Sequence, residues 1–327
     1  MARRIGFSMP SGSTSRSRFG RGRVGRVATI ALLVAGVVQA PAQPVFRAET
    51  NLVALQVTVV DAQQRYVPDL RADDFRVLEE GDPQTIRLFA AAAAVPLDLM
   101  LLVDTSASMV GLLSMVRHAA LNFVRLLGPD DRAAIVLIKD RAKFAQPLTN
   151  DVARLERALS DLPISGGTAL YDSLYIALRE LSLARRNTDS MRRTALVVLT
   201  DGWDTSSRVS FDDVFAEARG SAVAIYSIVP VETAVPYDRP QPTINVFEMR
   251  RLAEQSGGRA FRPERLADLS GAYDEILAEL RHQYWLAYAS PAASRGFRRV
   301  SVQIVTNPTM RARTRAGYYA GASRPGE

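Results

Sequence analysis

Two carboxylates and three hydroxyls stand out because of where they fall. Asp104, Ser106 and Ser108 lie in Asp104-Thr105-Ser106-Ala107-Ser108, directly after the apolar run Leu97–Val103. Thr168 closes Ser165-Gly166-Gly167-Thr168 just before a helical pattern, and Asp201 follows a second apolar run in Thr200-Asp201-Gly202. No imidazole or thiol is among them. Hard oxygen donors of this kind suit Mg²⁺ most, or Mn²⁺ or Ca²⁺, rather than zinc. Two carboxylates and several neutral hydroxyls leave a divalent ion's charge incompletely cancelled, so one more anionic oxygen can join it. Each residue alone has a plainer reading, as a helix cap or part of a turn. The weight lies in their conjunction at three separate connections.

The elements around them place those connections on one rim. Leu97–Val103, Ala133–Ile138, Thr194–Leu199 and Ala222–Val229 are continuously apolar runs rich in Val, Ile and Leu, as expected of parallel strands covered on both faces. Helical spacing falls between and after them, at Leu112–Leu127, Asp151–Leu159, Ala169–Leu183, Phe211–Ala218, Phe247–Gln255 and Leu266–Leu280. The alternation predicts an α/β domain with a doubly wound, mostly parallel sheet flanked by helices, which presents its sites at the carboxyl ends of the strands.

Flanking regions read differently. Leu52–Val60 and Thr85–Phe89 have strand character, Asp61–Gln64 a turn, and Leu70–Phe75 a short acid-capped helical turn. Tyr284–Ala289, Arg299–Val305 and Arg311–Tyr319 are strand-like and cannot continue the alternation. They are expected to pair with the N-terminal strands in a small β-rich accessory region. Arg311, Arg313 and Arg315 alternate along the last of these and read as a solvated edge. The organisation expected is a leader over 1–42, an N-terminal β-rich region over 45–94, the α/β domain over 95–282 and C-terminal strands over 283–320.

Charge and composition narrow the function. The formal net charge is +7, but residues 1–42 hold seven arginines and no acid, leaving 34 basic against 34 acidic residues in the rest. The basic excess belongs to the leader, so no nucleic-acid partner is expected. A basic stretch ending at Arg26, an apolar run Val27–Val38 and the small residues of Ala40-Pro41-Ala42 have the form of an export signal. The protein is expected to be periplasmic, cell-surface or secreted, with membrane attachment only through an uncleaved leader. There are no cysteines, which excludes disulfides, thiolate metal sites and a cysteine nucleophile. Gly166-Gly167-Thr168 lacks the Gly-Lys-Ser/Thr ending of a phosphate loop. His118 and His282 sit on or beside helices without a recognisable catalytic context, and no enzyme is expected.

Asp104-x-Ser106-x-Ser108, then Thr168, then Asp201 resembles the metal-ion-dependent adhesion site of von Willebrand factor A domains. The resemblance implies that Ser106, Ser108 and Thr168 are inner ligands, that Asp104 and Asp201 act behind them, and that a partner's Glu or Asp completes the shell. Asp73-Asp74-Phe75-x-Val77-Leu78-Glu79, Thr168–Asp172, Asp201–Ser206 and Gln283-Tyr284-x-Leu286-x-Tyr288 extend the likeness to exported bacterial "VWFA-related" proteins of acidobacterial type. Trp203 stands where an acid is more usual in that group. Tyr171, Trp203 and Asp204 are candidate partner contacts around the rim. The expected function is metal-dependent protein binding in adhesion or assembly. A metal-dependent hydrolase and a structural subunit of the cell envelope are the alternatives.

Overall fold

The computed structural model describes residues 52–91, 94–164, 166–188, 190–201, 203–231, 243–291 and 295–320. The expected leader lies outside them. No helix among the described residues is long and apolar enough to cross a membrane.

The central sheet is built from β5 (Leu97–Asp104), β6 (Arg132–Ile138), β7 (Lys143–Thr149), β8 (Arg193–Leu199), β9 (Ala224–Ile228) and β10 (Ala260–Phe261). Its order is β10-β9-β8-β5-β6-β7, all parallel except β7. Every residue of β5 is buried, because successive side chains enter opposite layers. Leu97, Leu99, Leu101 and Val103 pack with α1 (Leu113–Arg125), α2 (Val152–Ser160) and α6 (Leu269–His282). Met100 and Leu102 pack with α3 (Leu170–Arg186), α4 (Phe211–Gly220) and α5 (Thr243–Ser256). Apolar runs with no polar alternation fold this way because neither face meets water.

The N- and C-terminal segments form two antiparallel sheets. One has the order β13-β1-β11-β4, from β1 (Leu52–Val60), β4 (Ile86–Ala91), β11 (Tyr284–Ala289) and β13 (Arg311–Arg313). The other is β14-β12-β2-β3, from β2 (Phe75–Glu79), β3 (Asp82–Gln84), β12 (Gly296–Ile304) and β14 (Gly317–Ala320). Val53, Leu55, Val57 and Val59 of β1 meet Phe75 and Val77 of β2 and Val300, Val302 and Ile304 of β12 in one apolar core, so the sheets make a sandwich. The chain leaves this sandwich after β4 and re-enters at β11, where Ala91 and Tyr284 are cross-strand partners.

Polar side chains join the sandwich to the central sheet. Gln56 donates from Nε2 to the carbonyls of Thr194 at 3.0 Å and Ala222 at 3.1 Å. Buried Glu279 of α6 accepts from Thr58 Oγ1 at 3.2 Å and Tyr226 OH at 2.9 Å, and pairs with Arg313. This corrects the expectation of a solvated arginine edge. β13 is an edge strand and Arg311 is exposed, but Arg313 turns inward to Glu279. Arg315 lies over the Tyr318 ring and donates to the carbonyl of Ser221. A buried carboxylate needs a cation more than the edge needs charge.

Candidate metal centre

The strand order makes the site. β5 lies between β8 and β6, with Val103 opposite Leu199 and Asp104 opposite Ile138, so three strands end together. Asp104 is fully buried at the end of β5. Its Oδ1 accepts the Ser106 N–H at 2.9 Å, and its Oδ2 accepts the Thr200 hydroxyl at 2.7 Å. The first bond turns the chain so that Ser106 and Ser108 face each other, with their hydroxyl oxygens 3.0 Å apart. The second ties the β5 turn to the end of β8.

Asp201 follows Thr200 and is 3% exposed. Its Oδ1 accepts the Trp203 N–H at 3.2 Å, while its buried Oδ2 has no hydrogen-bond partner. An unpaired carboxylate oxygen taken out of water is costly, and a bound cation would relieve it. Asp104 has both oxygens bonded but shares the burial. Burial chiefly, with the nearby charge of Asp201, pushes its carboxyl up to about 6 against the pull of the Ser106 N–H and Thr200 hydroxyl.

Thr168 arrives from a third direction and is buried. Its N–H donates to Thr205 Oγ1 at 2.9 Å, and its carbonyl accepts the N–H groups of Thr205 at 2.9 Å and Ser206 at 3.3 Å. On its other side, the Ala169 N–H donates to the Lys139 carbonyl at 2.6 Å. Thr168 is thus held between the loop after β8 and the turn after β6. Gly167 permits the approach, because a Cβ there would lie 2.1 Å from Asp140 Oδ1 and 3.3 Å from Ser206 Oγ.

The capping readings of these residues fail. α1 starts from Leu112 and α3 from Ala169, neither capped by a motif side chain, and Ser106 makes no cap bond for the short 3-10 turn Ala107–Met109. The hydroxyls therefore remain available to a ligand. Among the described residues no group of three or more His, Cys, Asp or Glu could hold a metal ion. A cation here would rest on hydroxyls and two carboxylates, the donor set of a hard ion. The residues fit such an ion.

Two of the three expected rim contacts have their polar ends turned elsewhere. Asp204 Oδ1 accepts the N–H groups of Leu170 at 2.8 Å and Tyr171 at 3.3 Å, and the Ser207 hydroxyl at 2.6 Å. It caps α3, where a carboxylate meets the helix's unpaired donors and positive end. Tyr171 donates its hydroxyl to Glu248 on α5 at 2.6 Å and packs edge-on against Phe211. Trp203 is half-buried beside Asp201. Sequence reasoning missed Thr200 and the turn after β6. Thr200 has a visible signal, a hydroxyl ending a buried strand beside an acid. The turn has none, since its approach to Thr168 depends on the strand order.

Residues 99–203 match the model for the von Willebrand factor type A domain. The chain carries a von Willebrand factor type A domain. An uncharacterized protein of Synechocystis sp. is 32% identical over 138 residues, which covers 38% of this chain and 32% of that protein. The chain therefore spans about a third of the length of the curated relative it matches. A von Willebrand factor type A structure from Catenulispora acidiphila shares the fold, with a TM-score of 0.50 at 15% identity, covering 84% of this chain and 64% of that one. Domains of this type usually bind a divalent cation at the adhesion motif. Asp104, Ser106, Ser108, Thr168 and Asp201 all fall within the matched residues.

Proposed function

We propose that this protein is an exported binding module whose von Willebrand factor type A domain uses a divalent cation, Mg²⁺ foremost, to capture an acidic residue of a protein partner. Ser106, Ser108 and Thr168 would hold the ion directly, with Asp104 and Asp201 behind them. The bound ion would supply an electrophilic position for a Glu or Asp carboxylate. The observation that carries the reading is Asp201 Oδ2, a buried carboxylate oxygen without a partner beside a second buried carboxylate. Asp104 has both oxygens committed to Ser106 and Thr200, which suits a supporting role. One metal-bridged contact is modest, so the surrounding surface must supply selectivity.

Titration of Mg²⁺ and Mn²⁺ into the full chain by calorimetry tests this. Saturable binding is expected, with loss in Ser106→Ala and Asp201→Asn. Binding that survives both substitutions would overturn the assignment.

A further inference from the structure

The turn between β6 and β7 stands against the metal motif. Its residues 139–142 follow Ile138, which pairs with Asp104 and accepts the Thr105 N–H through its carbonyl at 3.3 Å. Lys139 accepts from Ala169, next to Thr168, and Asp140 lies over Gly167. The lysines here are unusual for this chain. Lys139 and Lys143 are its only lysines among 41 basic residues, and Arg141 stands between them. Several arginines elsewhere pair with acids: Arg132 and Arg192 share Asp98, Arg299 pairs with Glu80 and Arg259 with Glu275. No hydrogen bond or ion pair among the described residues engages the side chains of Lys139, Arg141 or Lys143, and Arg141 and Lys143 are exposed.

Two neighbouring acids are turned inward. Asp204 caps α3, and Asp172 accepts the N–H groups of Arg208 at 2.9 Å and Val209 at 3.0 Å. Asp140, in the turn itself, is exposed and has no bond among the described residues, so the turn holds three unpaired cations against one acid. Lysine suits a second, looser contact, because its ammonium is a flexible point charge that needs no fixed bidentate geometry.

We infer that the β6–β7 turn is the second half of the docking surface, so that the partner offers an acidic segment, with one carboxylate for the metal and at least one more for Lys139, Arg141 and Lys143. This rests on the metal-bridged reading above.

The test uses the full chain and two otherwise Gly/Ser peptides, one bearing a single glutamate and one bearing three, titrated with Mg²⁺ and with EDTA. In Mg²⁺ the extra glutamates should tighten binding by about fivefold or more, the scale of exposed charge pairs. The double variant Arg141→Glu/Lys143→Glu should lose that gain while its Mg²⁺ affinity and unfolding temperature stay near the parent's. Equal affinity of parent and variant for the three-glutamate peptide would overturn the inference and leave the metal reading intact. Charge-dependent capture of that peptide that ignores Mg²⁺ but vanishes in the variant would support the turn and sink the metal reading. Preference for anionic lipid vesicles or a single-stranded oligonucleotide over the three-glutamate peptide would also overturn it.

Discussion

Replacing Asp204 with alanine separates two roles that its position combines, holding α3 and placing Thr168. The carboxylate takes two N–H groups at the start of α3 and the Ser207 hydroxyl. Loss of an N-cap acceptor costs about 1 kcal/mol, the negative charge at a helix start about 0.5 kcal/mol, and an orphaned hydroxyl about 1 kcal/mol. Asp204→Ala should therefore lower unfolding free energy by about 2–3 kcal/mol, and Asp204→Asn, which keeps an acceptor, by about half as much. Urea unfolding followed by circular dichroism reads this as a midpoint shift at constant slope. Repeating the measurement with Mg²⁺ probes placement. A site holding the ion at about a hundredfold excess over Kd stabilises the folded chain by about 2.7 kcal/mol, and that increment should shrink in Asp204→Ala because the loop that holds Thr168 is released. A loss below about 0.5 kcal/mol without metal would refute the capping account, and an undiminished Mg²⁺ increment would refute the placement.

Other expectations follow from single contacts. Mg²⁺ should raise the melting temperature of the parent and leave that of Ser106→Ala unchanged in scanning calorimetry, with EDTA reversing the shift. Asp98→Asn should destabilise by about 3–5 kcal/mol in urea titration, since it strands Arg132 and Arg192 beside a neutral amide at the base of β5. Gly258→Ala should cost about 3 kcal/mol by the same measurement, because its Cβ would meet the Ile225 carbonyl oxygen at 1.9 Å, and backbone cannot swing aside as a side chain can.

The parts of the fold that were legible are those with a local cause. The strands β5, β6 and β8 are uninterrupted apolar runs, and their ends fall within a residue of expectation. The motif residues follow from those ends. β7 was not legible, because Lys143–Thr149 is a half-exposed edge strand with Pro147 and no apolar run to mark it. Its absence from the sequence reading also hid the basic turn that joins it to β6. The accessory strands were visible singly, but the pairing of β1 with β11 spans more than two hundred residues, and the split of Arg311–Tyr319 into β13 and β14 depends on which sheet each half joins. Asp204 was misplaced for a similar reason. An acid three residues past Asp201 looks like rim chemistry until its bonds to the start of α3 are seen.

The pairing of Ala91 with Tyr284 has a mechanical consequence. The whole α/β domain occupies the position of a hairpin loop, with its entry and exit zipped together by β4 and β11. Pulling on the chain at either flank loads the sandwich strands first, and the domain hangs outside the line of tension. A partner gripped at the metal would instead be pulled against this zipped stem, so the joint between anchor and cargo would be as strong as the ladder of β1, β11 and β4.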